Sequence, residues 1–270
     1  MHYLSQCITK NFAPKDSNKT FWQYDCAVKG PLQQRNVSKL FSSKHTWSQE
    51  FEDILSSNHY ENVLGPLLRK LCDKEVKKGF IIGPNKIETF QFNAEQITDS
   101  GEIKLLNRLF LQTLLMQKSN NKECAPDDIL SEIFQNELNL GMNLLLVEIN
   151  PWGKYPPLIL TDGMLFFTLA PDKSKDSIGH MNFFFPINEN RFILWTSTKD
   201  DYTFFAKQYQ DINFLNLCRI EQHGKKCRIA SFNKKYLENL IPLIENFSSN
   251  MAPEIIINRI KHSKENFFKE

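Results

Sequence analysis

Glycine is scarce in this chain, at 10 of 270 residues, and its few glycines form none of the loops that cradle phosphate. GxGxxG is absent, and so is GxxxxGK followed by Ser or Thr, which excludes the common nucleotide-binding readings. The GxSxG nucleophile elbow and the HExxH zinc pair are missing too. No CxxC occurs. The six cysteines stand apart at positions 7, 26, 72, 124, 218 and 227, a usage that reads as free thiols in a reducing, cytoplasmic compartment. No stretch of 18 apolar residues could cross a bilayer, and no early apolar run resembles a signal peptide. Charge is nearly balanced, with 33 basic and 31 acidic groups for a net +2. That balance does not favour a large nucleic-acid-binding face, although it leaves room for a local basic patch.

What is present is phenylalanine, 22 residues of it, within a hydrophobic fraction of 41%. Many phenylalanines and few glycines predict a dense aromatic core with few flexible loops, which argues against disorder. A single unit of this length buries roughly 75% of its unfolded surface. The expectation is one integrated domain over 1–270, with a subdivision near 141: 1–140 mostly helical, 141–270 sheet-containing.

Phe21-Trp22-Gln23-Tyr24-Asp25 alternates and reads as a strand, followed by a turn at Lys29-Gly30-Pro31 and a second strand at Gln34 to Ser38. A helix is expected from Ser48, with Phe51, Ile54 and Leu55 on one face. Another runs from about His59 to Lys77, although Pro66 falls inside it and marks an alternative start. The pattern from Glu102 to Gln117 is the clearest helix, and Pro126-Asp127-Asp128 opens one more, to about Leu140. Beyond Gly141 the strand candidates are 144–149, 158–162, 182–186 and 191–195. Residues 201–217 look helical, 218–232 look like a hairpin turning at His223-Gly224-Lys225, and a last helix covers much of 252–268. Segregated runs of this kind predict an α+β fold, with a helical N-terminal half packed on a mostly antiparallel sheet from the C-terminal half.

Several polar groups could carry chemistry. His2 places an imidazole, the commonest general base and metal ligand, on the first element of the chain. Cys218, His223 and Cys227 make a C-x4-H-x3-C run that lacks a fourth zinc ligand; a hairpin with two facing Cys-Arg-Ile segments accounts for it. Asp162 ends an apolar strand in Thr161-Asp162-Gly163, a position that suits a catalytic carboxylate or an aspartate bonding its own turn. Glu52, Glu61, His45 and His59 lie around the first helical region, where lone polar side chains are usually solvated. Lys225, Lys226, Arg228 and Arg219 form a small basic patch.

The order of these features resembles the mostly bacterial family catalogued as domain of unknown function 4238. Its members open with His-Tyr-x-Pro and reach an Asn-Phe pair; here His2-Tyr3-Leu4-Ser5 leads to Asn11-Phe12. The aromatic strand Phe21 to Asp25, the Arg35-Asn36-Val37 strand and glutamate-bearing helices with Glu52 and Tyr60-Glu61 follow. Thr161-Asp162-Gly163 stands where the family carries Ser-Asp-Asn-Pro, Phe185-Pro186-Ile187 where it carries Phe-Pro-Leu, and Asn213 with Asn216 where it carries Asn-x-x-Asn. Ser5 replaces the early proline, Gly163 replaces Asn-Pro, and Lys118 stands where an arginine is common.

The resemblance implies His2, Glu61 and Asp162 as the matching polar positions, converging on a cleft. A histidine with two carboxylates can hold a divalent metal or divide acid and base roles. Phosphodiester hydrolysis, with nucleic acid as substrate, is the leading reaction for such a set. The family's association with mobile elements implies a defence- or toxin-linked role, with a protein partner encoded nearby. The alternative is a non-enzymatic module that binds a protein or ligand. There Asp162 fixes a turn, and exposed aromatics at Phe183-Phe184-Phe185 or Phe204-Phe205 form the partner surface.

Overall fold

The computed structural model describes residues 6–13, 20–41, 60–76, 92–119, 140–149, 156–169, 181–198, 202, 205, 206, 208, 209 and 211–247. A helical turn, Gln6–Thr9, runs into a 3-10 turn, Lys10–Phe12. Strands β1 (Thr20–Asp25) and β2 (Gln33–Asn36) follow, then a 3-10 turn at Val37–Lys39. Next come helix α1 (Tyr60–Asp73), β3 (Phe92–Gln96) and helix α2 (Ser100–Ser119). The five strands after them are β4 (Asn143–Ile149), β5 (Leu160–Thr161), β6 (Phe166–Leu169), β7 (Met181–Asn188) and β8 (Arg191–Thr196). Helix α3 (Ile212–Gln222), β9 (Arg228–Ser231) and helix α4 (Lys234–Asn246) complete the order.

The strands form two antiparallel sheets, one in the order β2-β1-β9-β5 and one in the order β3-β4-β8-β7-β6. This corrects the expected division into a helical first half and a sheet-bearing second half. Helices are interspersed among strands: β1, β2 and β3 precede residue 97, while α3 and α4 follow residue 211. The reason is long-range pairing. β1 is a central strand only because β9, some two hundred residues later, pairs with it from Trp22↔Ser231 to Asp25↔Arg228. β3, in a stretch with mixed pattern, pairs with β4 from Phe92↔Ile149 to Gln96↔Leu145.

The five-stranded sheet carries Phe92, Phe166, Phe167, Phe183, Phe184, Phe185, Phe192 and Trp195. β7 and β8 are joined at Asn188-Glu189-Asn190, where Asn190 N–H donates to Asn188 Oδ1 at 2.8 Å. Their side chains alternate between two covered faces. Phe110 of α2 lies 4.7 Å from Phe183 and 5.4 Å from Trp195, whose Nε1 donates to Asn107. On the other face Phe184 sits 4.5 Å from Phe192 and 6.1 Å from Phe205. Phe184, Phe192, Trp195 and Phe205 are fully buried, and each contributes about 1.5–3 kcal/mol by leaving water.

Helix α1 starts at Tyr60 and continues through Pro66, so the alternative start at the proline does not hold. Leu64, Leu67, Leu68 and Leu71 are all buried. Four such side chains at about 1.5–3 kcal/mol each outweigh a proline cost of about 3 kcal/mol. Arg191 Nη1 donates to the last carbonyls of the helix, Leu71 O at 2.8 Å and Cys72 O at 2.6 Å. The same guanidinium pairs with Glu148.

The expected hairpin over 218–232 is half right. Gly224 and Lys225 turn the chain at φ 62° and 55°, but the first arm is the end of helix α3. Asp211 caps that helix by accepting from Asn213 N–H and Phe214 N–H. Helix α4 carries no expectation from the pattern, although its signals are present. Asn233 accepts from Tyr236 N–H at 3.0 Å, and Tyr236, Leu237, Leu240 and Ile244 are buried at helical spacing. The helices expected at 48, at 126–140 and at 252–268 lie outside the described residues.

Candidate functional site

The four-stranded sheet is where the polar candidates gather, and its pleat sorts them onto two faces. Residues opposite each other in an antiparallel pair share a face, and neighbours along a strand alternate.

One face carries Asp25, Arg228 and Asp162. Asp25 of β1 stands directly opposite Arg228 of β9. Asp162, just past β5, binds Arg228 from the other side. Arg228 N–H donates to Oδ1 and Nε donates to Oδ2, each at 3.0 Å, while Asp162 N–H donates back to Arg228 O at 3.1 Å. Burial pushes the Asp162 carboxyl above its ordinary range; the Arg228 bond and charge oppose that rise, and Asp25 adds to it. Arg228 thus pairs with Asp162, while Asp25 Oδ1 accepts from Ala27 N–H at 2.9 Å and Val28 N–H at 3.1 Å in its own turn. Arg228 Nη2 also donates to Phe41 O at 3.3 Å, and Gln23 accepts from Phe41 N–H. Phe41 follows the 3-10 turn Val37–Lys39, on which the helical turn Gln6–Thr9 packs; that turn also packs on α1.

The opposite face carries Thr161, Gly163, Cys26 and Cys227, and helix α3 serves it. Asn213, Asn216 and Arg219 recur every three residues and are all buried. Asn216 accepts from Ile159 N–H at 3.3 Å and donates to Pro157 O and the Tyr236 hydroxyl, each at 2.9 Å. The Tyr236 hydroxyl donates in turn to Asn213 at 2.9 Å. Arg219 donates to Ile159 O at 2.9 Å and lies 5.2 Å over the Phe184 ring. Burial lowers the Arg219 pKa to about 9. These side chains satisfy the backbone of the irregular segment 157–163, which has few strand partners of its own.

Gly163 is demanded by His223. A Cβ there would stand 2.1 Å from Nε2 of the imidazole. That Nε2 is buried without a hydrogen-bond partner among the described residues. Burial lowers the His223 pKa, Arg219 lowers it further, and the Gly163 backbone opposes both.

Of the three sites expected from the sequence, Asp162 is the one whose side chain is described, and it binds Arg228. Glu61 is the second residue of α1, described in its backbone alone, and His2 lies outside the described residues, as do Glu52, His45 and His59. Sequence reasoning paired Asn213 with Asn216 on a helix, but it missed the partners of Asp162 and Arg219 as the third member of the Asn213–Asn216–Arg219 stripe. The stripe was visible as three polar residues at one helical spacing, had 218–222 been read as helix. Among the described residues no group of three or more His, Cys, Asp or Glu could hold a metal ion. The expected aromatic partner surface is also corrected. Phe184, Phe185 and Phe205 are buried, because both sheet faces are covered, and Phe183 is half-buried; Phe204 lies outside the described residues. No helix among the described residues is long and apolar enough to cross a membrane.

Searches against models of known protein families, curated proteins and solved structures give no match for this chain.

Proposed function

We propose that the chain is a cytoplasmic, defence- or toxin-associated hydrolase of phosphodiesters, nuclease-like in its chemistry, with His2, Glu61 and Asp162 around one cleft. The observation that supports this reading is the packing on the Asp162 face of the four-stranded sheet. The turn that continues from His2 rests on the helix that carries Glu61 and on the 3-10 turn before Phe41. Phe41 is held by the same Arg228 that binds Asp162. In this reading Arg228 offers donors to a phosphoryl oxygen, and the raised Asp162 carboxyl sits nearer to the range of a useful acid or base than an ordinary aspartate. A divalent metal would be held through His2 and Glu61, since both Asp162 oxygens are occupied by Arg228.

The test is cleavage of single- and double-stranded DNA and RNA by the purified chain, with and without magnesium or manganese. His2→Ala and Glu61→Gln should each abolish cleavage while melting as the parent does. Folded variants with full activity overturn the assignment.

A second reading has its own observation. Two bonds from Arg228 to Asp162 are what a turn-fixing aspartate needs, so a non-enzymatic module that binds a protein encoded nearby remains the alternative. Absence of cleavage together with co-purification of such a partner favours it.

A further inference from the structure

Cys26 and Cys227 face each other at the end of the β1–β9 pair of the four-stranded sheet, one residue beyond each strand. The β1–β9 register continues by one residue past Asp25↔Arg228, and Cys26 N–H donates to Cys227 O at 3.1 Å. The two residues are thus a directly opposed, hydrogen-bonded antiparallel pair. Such pairs hold their Cα atoms about 5.5 Å apart, inside the roughly 4.4–6.8 Å range that a disulfide spans. Both side chains are buried and both are free thiols.

We propose that Cys26 and Cys227 form a redox-active pair that closes into a cross-strand disulfide under a peroxide oxidant. In the first step a Cys thiolate attacks one peroxide oxygen, giving a sulfenic acid and releasing the other oxygen as water. In the second, the facing thiol attacks the sulfenic sulfur and displaces a second water. Two thiols lose two electrons and two protons to one peroxide, and the sum is one disulfide and two waters.

Access comes from the end of the sheet. Cys26 opens a turn whose next three residues, Ala27, Val28 and Lys29, are exposed. The turn is tied to the end of α4 by the solvent-exposed Lys29–Glu245 pair at 3.4 Å. Fraying of that end uncovers the thiols without breaking the five-stranded sheet. Its consequence for the other face is direct, because Cys227 adjoins Arg228. A change in the spacing of β1 and β9 at this rung moves the guanidinium that holds Asp162. The neighbouring Cys26 and burial keep the Cys227 thiol well above its ordinary pKa.

The experiment is peptide mapping of the purified full chain under non-reducing conditions, after hydrogen peroxide and after subsequent dithiothreitol. The expected result is an intramolecular peptide pair joining Cys26 to Cys227, lost on reduction and absent from Cys26→Ser and Cys227→Ser. Should a serine variant fail to fold, the parent map still decides. Thiols that stay reduced, or links that join other cysteines or separate chains, overturn the proposal.

Discussion

The two sheets are built by opposite strategies. The five-stranded sheet is held by apolar area: Phe184, Phe192 and Trp195 are fully buried between α2 on one face and the chain around Phe205 on the other. The four-stranded sheet is held by named polar contacts, because three of its four strands are short: β2 and β9 have four residues each and β5 has two. There Asn216 and Arg219 supply bonds that missing strand neighbours would have made. The difference teaches where substitution is tolerated. An aromatic core distributes its energy over many contacts, whereas a polar lock depends on a few atoms.

The largest expected effects test that contrast. Phe184→Ala should cost about 3–5 kcal/mol, as truncation of a buried ring does. Asn216→Ala should cost about 2–4 kcal/mol by leaving Ile159 N–H and Pro157 O without partners. Leu or Met at 184 should recover most of the loss, while no apolar residue at 216 should recover any. Urea unfolding of these variants, with Asn216→Leu and Asn216→Met beside them, measures this, and an apolar rescue at 216 breaks the comparison.

A smaller effect is expected at Gly163. Alanine there meets the His223 ring and should cost about 1–3 kcal/mol. His223→Ala in the same chain should relieve it, giving a coupling of about 0.5–3 kcal/mol in a double-mutant cycle of melting curves. Additive losses would mean that the ring does not stand against Gly163.

The sheets should also answer pH in opposite directions. Burial raises the Glu189 carboxyl, in the β7–β8 turn, from 4.5 to about 7. Between those values the folded chain binds the extra proton, so this group makes stability fall as pH rises through the window and then level off. Glu189→Gln should remove that fall, about 1–3 kcal/mol once solvent screening is counted. His223 is lowered from 6.5. The unfolded chain binds its extra proton below that value, so stability is lost as pH falls, and His223→Gln should flatten the acid side. Melting temperatures between pH 4 and 8 separate the two.

How much of this was legible follows the same division. β4, β7, β8 and α2 were readable because their signals are local: long apolar runs, an Asn-Glu-Asn turn, a broad helical stripe. β1 was readable as a strand from its aromatic alternation, yet its place between β2 and β9 was not, since nothing near residue 25 points to residue 228. β3 carries only Phe92 and Ala94 as buried apolar residues, too few to show a period. Asp162 was found from its position at a strand end. Arg228 and His223, which define its surroundings, were grouped by sequence with Cys218 and Cys227, and the pleat separates what that spacing joined.

The most direct measurement is Asp162→Asn, assayed for nucleic-acid cleavage alongside its melting temperature. Asparagine keeps an oxygen for Arg228 N–H while removing the charge. The account predicts a chain that folds and loses activity by about 100-fold or more, the scale of a lost acid–base group. A folded variant with the parent's activity would contradict it and leave Asp162 as the clamp of a turn.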